Sequence, residues 1–212
     1  MNAGRKRIVL IGDGAFSREI AAVARLNGYV IEATYSTQST AQDGRYRGYL
    51  DELLADRAKF DGVALAVGGV SRPVIAARVE IIAWLDANGI LCPPLVSPHA
   101  LVCEGATVGA GSFIAHRVPV SVDARVGRFC VLNTGAIVAH DAVIGDNTTV
   151  SPSALISGRC QIGEGRLIGS MAKVLQGLTI GREATIGVGC NVLRNVPERA
   201  SVWPKPDSIA ST

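Results

Sequence analysis

The sequence predicts a small α/β domain with a parallel sheet, Rossmann-like in its order of elements, followed by a parallel β-helix of hexapeptide repeats. Two observations carry this. From Val96 to Val192 a branched aliphatic or leucine stands at every sixth position, seventeen times in one phase and without an insertion. Ahead of that run, apolar strand-like segments alternate with helix-like ones and are punctuated by glycine turns. A half-exposed strand alternates by two and a helix repeats near 3.6, so a period of six fits neither. It fits three short faces per coil, with equivalent residues stacking one coil apart into a narrow core.

Residues 5–11 read as a buried strand that leads into Gly12-Asp13-Gly14 and a helix start. The helix places Ile20, Val23, Ala24 and Leu26 on its packed face and stops at Asn27-Gly28. Tyr29 to Thr34 reads as a second strand, 36–45 as a polar loop, Tyr49 to Leu54 as a short helix and Phe60 to Val67 as a third strand. Ser71-Arg72-Pro73 opens another helix, packed through Val74, Ile75, Val79, Ile82 and Leu85 and ending at Asn88-Gly89. Strand and helix in alternation make a parallel α/β sheet. Two prolines at 93 and 94 end it, so the chain divides into 1–94, the β-helix over 95–196 and a tail over 197–212. In that tail Trp203-Pro204-Lys205-Pro206 is expected to cap the open end of the solenoid.

Within the β-helix the residue two places before each aliphatic is mostly small, as at Ala106, Ser112, Cys130, Thr148, Cys160, Ala184 and Cys190. Seven of the residues just after it are glycine, where a tight corner is expected to need them.

Composition narrows the function classes. The net charge is only +3 and Lys and Arg never run together, which speaks against a nucleic-acid partner. No signal-like apolar segment opens the chain and no long apolar run interrupts it, so it is expected to be soluble and cytoplasmic, with no membrane partner. Five cysteines without a CxxC pair and three histidines without ligand spacing predict no metal; Cys130, Cys160 and Cys190 fall in the small core phase and read as buried thiols.

Gly12-x-Gly14 follows a strand and opens a helix, where free N–H groups and the dipole end favour a phosphate. The third glycine of a dinucleotide fingerprint is replaced by Ser17, so a mononucleotide diphosphate is preferred over NAD, a plain packing turn being the other reading. Gly68-Gly69 follows the third strand in the same way, and Arg18 or Arg72 is placed to meet the phosphates. His140-Asp141 lies two residues past Val138, off the core phase, where a histidine can act as a base and a neighbouring carboxylate can fix its tautomer, though adjacency alone does not establish that contact; a plain surface or subunit-interface histidine is the other reading. One coil onward stands Gly158, whose amide is suited to an oxyanion and whose missing side chain admits a thioester.

With Ile11-Gly12-Asp13-Gly14, Arg18-Glu19-Ile20, Val67-Gly68-Gly69, Arg72, Leu132-Asn133-Thr134-Gly135-Ala136, His140-Asp141 and Ile144-Gly145-Asp146 in these positions, the chain resembles the nucleotide-sugar acetyltransferases of the hexapeptide superfamily. The branch is the sialic-acid O-acetyltransferase-like and bacterial amino-sugar N-acetyltransferase one, of the perosamine or bacillosamine type. The resemblance implies a left-handed β-helix, a homotrimer with acetyl-CoA between subunits, and a nucleotide-linked amino sugar held by the N-terminal domain. It implies His140 as general base with Asp141 behind it, and Asn133, Gly158 and Gly187 at the acetyl-CoA site. Substrate contacts are implied at Gly12, Gly14, Ser17, Arg18, Gly68 and Arg72. Thr149 stands where relatives carry a second histidine of the acetyl-CoA site, and Gly14-Ala15-Phe16 replaces a histidine-bearing turn. The expected reaction is N-acetylation of a nucleotide-linked 4-amino-4,6-dideoxy sugar. O-acetylation of a sugar hydroxyl, nucleotide-sugar binding without catalysis, and a γ-carbonic-anhydrase-like metal chemistry are the alternatives.

Overall fold

The computed structural model describes residues 6–36 and 46–204. Its N-terminal part is a four-stranded parallel sheet built from β1 (Arg7–Ile11), β2 (Val30–Ser36), β3 (Tyr46–Tyr49) and β4 (Gly62–Leu65), in the spatial order β3-β2-β1-β4. Three helices accompany it: α1 (Ala15–Leu26), α2 (Leu50–Ala55) and α3 (Arg72–Ala87). β1 sits between β2 and β4 with Val9 and Ile11 wholly buried, as its unbroken apolar run requires. The elements follow the sequence order, with two additions, a short 3-10 turn at Arg57–Lys59 and β3, which was not legible because Tyr46 to Tyr49 carries no apolar alternation and pairs only at the sheet edge. Most of the polar stretch read as a loop, and the Lys205-Pro206 half of the expected cap, lie outside the described residues.

Two packed faces differ from expectation. Leu26 is exposed in the last turn of α1, and Val79 is exposed on α3 while Arg78 beside it is buried. α3 turns the stripe Ile75, Arg78, Ile81 and Leu85 inward, so its buried face is one residue round from the apolar one.

Eighteen two-residue strands, from Leu95–Val96 to Ser201–Val202, form the parallel β-solenoid among the described residues. They lie in three sheets of five, seven and six strands. Val131 pairs with Thr149 and Leu132 with Val150, and the same one-coil register holds along each face. From Ile114 to Val192 all fourteen hexad aliphatics are at most 3% exposed, each contributing about 1.5–3 kcal/mol of burial. The last coil is two residues short, Thr185 pairing with Ser201.

The corners correct the glycine expectation. Left-handed backbone falls three residues after the aliphatic, at Arg117, Asp123, Asp141, Asn147 and five other non-glycine positions of the same phase, with Gly135 and Gly165 among the glycines there. The glycines just after the aliphatic answer a different need. A Cβ on Gly145 would stand 2.6 Å from the backbone of Gly163 and Glu164 in the next coil, so only glycine lets the coils close up.

α1 packs on the outer face of the seven-stranded sheet, with Phe16 edge-on to Phe113 at 5.4 Å, and its buried residues join the solenoid interior in one hydrophobic cluster. A second cluster unites α2, α3 and the far side of the N-terminal sheet with Phe129 of the solenoid. No helix among the described residues is long and apolar enough to cross a membrane.

Candidate active site

The strand Ile137–Val138 ends the six-stranded sheet's share of its coil, and the corner Ala139-His140-Asp141-Ala142 turns the chain toward Val143–Ile144 of the five-stranded sheet. Asp141 takes the left-handed conformation that the corner demands, φ +58°, and its N–H donates to the Val122 carbonyl of the coil below. Turned this way, Asp141 Oδ2 lies 2.8 Å from His140 Nδ1, both side chains being about half exposed. A carboxylate there can accept the Nδ1 hydrogen, and in that tautomer the lone pair is on Nε2.

The coil above completes the arrangement. The His140 carbonyl accepts from Arg159 N–H, and a Cβ on Gly158 would lie 2.5 Å from His140 Nε2. Any side chain at 158 would occupy the space in front of the base. Gly158 N–H donates to no group among the described residues, whereas its carbonyl accepts from Gly177.

The predicted glycine turns also come together. Gly12, Gly14 and Gly68 line one cleft of about 390 Å³ with Phe16, Ser36 and Val67. The cleft lies at the carboxyl ends of β1 and β4 and takes in the N-terminus of α1, whose first turn has no acidic residue. Gly12 is obligatory: φ is +114° and a Cβ would meet the Ala66 carbonyl at 2.7 Å. Asp13 also lines the cleft, and Ser36 Oγ donates to its carboxylate at 3.3 Å.

Three of the expected substrate contacts lie elsewhere. Ser17 is buried in the first turn of α1, its hydroxyl donating at 2.7 Å to the Gly14 carbonyl three residues back, which also accepts from the Ser17 N–H. Arg18 is exposed on α1 and is not part of the cleft wall. Arg72 reaches the last coil instead, donating to the Arg199 carbonyl at 3.0 Å and Ser201 Oγ at 2.9 Å, since α3 starts beside the solenoid's end.

Asn133 and Gly187 share one solenoid edge, in equivalent places three coils apart, where the seven-stranded sheet turns into the six-stranded one. Trp203 packs over Gly187 where a side chain would stand. Thr149 is buried in the seven-stranded sheet and its hydroxyl presses on Gly69, so it is covered rather than open to a cofactor. Within one chain neither Asn133, Gly187 nor Thr149 lies on the His140 edge.

Sequence reasoning missed Arg78. It is 1% exposed and donates from Nε to Asn147 Oδ1 at 2.8 Å, and from its two Nη atoms to the carbonyls of Val67 and Phe129. Burial lowers its pKa from 12.5 to about 10. Its one legible signal is the three-residue spacing from Ile75, which puts it on the buried stripe. His116 Nδ1 lies 2.7 Å from Ser97 Oγ, beside the His99 ring. No three His, Cys, Asp or Glu side chains cluster as a metal site among the described residues. Cys130 is buried and its thiol is pushed up to about 12, chiefly by burial, which keeps it protonated at neutral pH.

No protein-family model and no curated protein sequence matches the chain. Solved structures do. PerB from Caulobacter crescentus, in complex with CoA and GDP-perosamine, is 24% identical with a TM-score of 0.86, covering 93% of this chain and 94% of its own. A mutant of perosamine N-acetyltransferase from that organism, with a histidine changed to asparagine and with the same two ligands, is 22% identical with a TM-score of 0.87, covering 99% of both chains. The acetyltransferase domain of PglB from Neisseria gonorrhoeae, in complex with acetyl coenzyme A, is 26% identical with a TM-score of 0.83, covering 93% of this chain and 96% of its own. Among these neighbours are thus a perosamine N-acetyltransferase and an acetyltransferase domain, each with CoA or acetyl coenzyme A bound, in line with the family that the hexads, glycine turns and His140-Asp141 pair resemble in the sequence.

Proposed function

We propose that the chain moves an acetyl group from acetyl-CoA to the amino group of a nucleotide-linked 4-amino-4,6-dideoxy sugar, with His140 as general base. The observation that carries this reading is the imidazole itself, backed by Asp141 and open at Nε2 because position 158 has no side chain. Neighbours that bind CoA and GDP-perosamine support it.

In this reading the sugar amine attacks the thioester carbonyl as Nε2 takes its proton. The C–N bond forms, the Gly158 N–H steadies the oxyanion, and the C–S bond then breaks to release CoA, which leaves as the thiol once protonated. The cleft at Gly12, Gly14 and Gly68 takes the nucleotide diphosphate. Residues 1–94 act as a Rossmann-like sugar-nucleotide domain, 95–196 as a left-handed β-helix for acetyl-CoA, and 197–212 as its cap.

The active unit is a homotrimer. α1 and the Gly69 loop cover the seven-stranded sheet, while the six-stranded sheet leaves Leu101 and Ile137 exposed on its outer face. Met171, Val188, Leu175 and Leu193, exposed too, lie on the two edges of that face. Three copies turning this face to a common axis bring the His140 edge of one against the Asn133–Gly187 edge of the next, with acetyl-CoA in the seam.

Mass spectrometry after incubation with acetyl-CoA and paired amino and hydroxyl nucleotide sugars tests the reaction. An acetyl adduct on the amino sugar is expected. An adduct only on the hydroxyl sugar, or on neither, overturns the N-acetyl reading.

A further inference from the structure

From α3, the Arg78 side chain hydrogen-bonds both to the loop after β4 and to the solenoid. Its guanidinium holds the Val67 carbonyl, one residue before Gly68 in the cleft wall, and also the Phe129 carbonyl and Asn147 side chain on a solenoid corner. Phe129 and Asn147 are equivalent corner residues one coil apart, both left-handed, φ +52° and +53°, and both buried. Asn147 closes the network by donating from Nδ2 to the Ile75 carbonyl of α3 at 3.3 Å. The same loop touches the solenoid a second time where Gly69 lies on Thr149. A loop fixed at both ends has its height over the solenoid determined by those two contacts.

We propose that Arg78 is a positioning residue for the cleft: by holding the Val67 carbonyl against Phe129 and Asn147 it sets the Gly68–Gly69 loop at the height at which a bound nucleotide presents its sugar along the solenoid. It touches no substrate and acts through the loop. A guanidinium suits this because its three nitrogens each reach a different acceptor, whereas the three donors of an ammonium all radiate from one atom on a shorter stem. Fully buried, it also has no water to fall back on, so each lost acceptor is felt. The role in substrate placement rests on the functional reading above; the loop's dependence on Arg78 does not.

The test uses the full-length protein with Arg78→Met and Arg78→Lys, and two readouts. Hydrogen exchange at the amides of Gly68, Gly69 and Val70 is expected to quicken in Arg78→Met relative to the parent, while exchange around His140 stays within about twofold. In kinetics, KM for the nucleotide sugar is expected to rise about tenfold while KM for acetyl-CoA stays within about twofold, Arg78→Lys recovering part of the loss. Unchanged exchange at 68–70, or both KM values rising together, overturns the proposal. Where Arg78→Met does not fold, Asn147→Ala removes one acceptor and is expected to give the same split to a smaller degree; equal shifts in both KM values overturn it there too. Calorimetric titration of the parent with GDP and UDP separates the two ideas. Binding of neither sinks the nucleotide reading, and the exchange result still decides the role of Arg78.

Discussion

His140 Nε2 lies 2.5 Å from the point at which a Cβ on Gly158 would stand, so the imidazole fills the space that a side chain one coil above would otherwise take. Gly158→Ala therefore displaces the base. The expected loss in kcat is about tenfold to hundredfold, against about 10²- to 10⁴-fold for His140→Ala. The double variant is expected to be no worse than His140→Ala, because the methyl acts only through the ring. Additive losses in steady-state kinetics would show that Gly158 works independently of His140.

Asp141 does two jobs, holding Nδ1 and turning the corner at φ +58°. Asparagine tolerates that backbone and alanine resists it. Asp141→Asn is thus expected to keep its melting temperature within about 2 °C while losing about tenfold or more in kcat. Asp141→Ala is expected to lose about 1–2 kcal/mol of stability as well. Equal stabilities in the two variants would remove the corner from the explanation.

Arg166 occupies the small phase of the hexad, one coil from Thr148 on one side and Ala184 on the other, and is wholly buried. Its Nε and both Nη atoms have no partner among the described residues. Burial lowers its pKa from 12.5 to about 10. The folded chain then binds this proton less tightly than the unfolded one, so the destabilisation is present in full below about pH 10 and fades as pH rises beyond it. Arg166→Met is expected to gain about 1–3 kcal/mol in urea unfolding, with the gain constant from about pH 6 to 9. A loss of stability in that variant would mean the guanidinium is satisfied in solution.

Cys92, Cys130, Cys160 and Cys190 are buried and their pKa values are raised chiefly by burial, while Cys103 is half-buried. A thiol reagent at about pH 8 is expected to modify one cysteine quickly in the native protein and all five after denaturation. Mass mapping that places the fast site anywhere but Cys103 would contradict this packing.

Ile137 is exposed on the six-stranded sheet, whose outer face we assign to the trimer axis. Sedimentation equilibrium is expected to give about three times 22.1 kDa for the parent. Ile137→Glu is expected to give monomers with unchanged circular dichroism and little activity, since a carboxylate is costly in a closed interface. A fully active monomer would rule out a shared site.

Much of the solenoid was legible because its rule is local. Each aliphatic from Ile114 to Val192 is inside for the same reason, and a period of six with no insertion has no other packed solution. His140, Asp141 and Gly158 could be placed from that register alone, since their separation is one corner and one coil. Gly12, Gly14 and Gly68 were legible through the turns that they make after strands.

What the register does not contain is which face another part of the chain will cover. Thr149 is placed by resemblance at the acetyl-CoA site, yet Gly69 lies on it; Arg72 reads as a cleft residue and is taken by the solenoid's last coil. Arg78 looks like a solvated helix charge until Asn147 and Phe129 are brought to it from a distant corner. The sequence by itself determined the coil, its core and the His140 pair, because those depend on neighbours one repeat away. Only the tertiary structure decided how the glycine cleft is held on the solenoid, because that rests on hydrogen bonds and close contacts between residues far apart in the chain, which no period encodes.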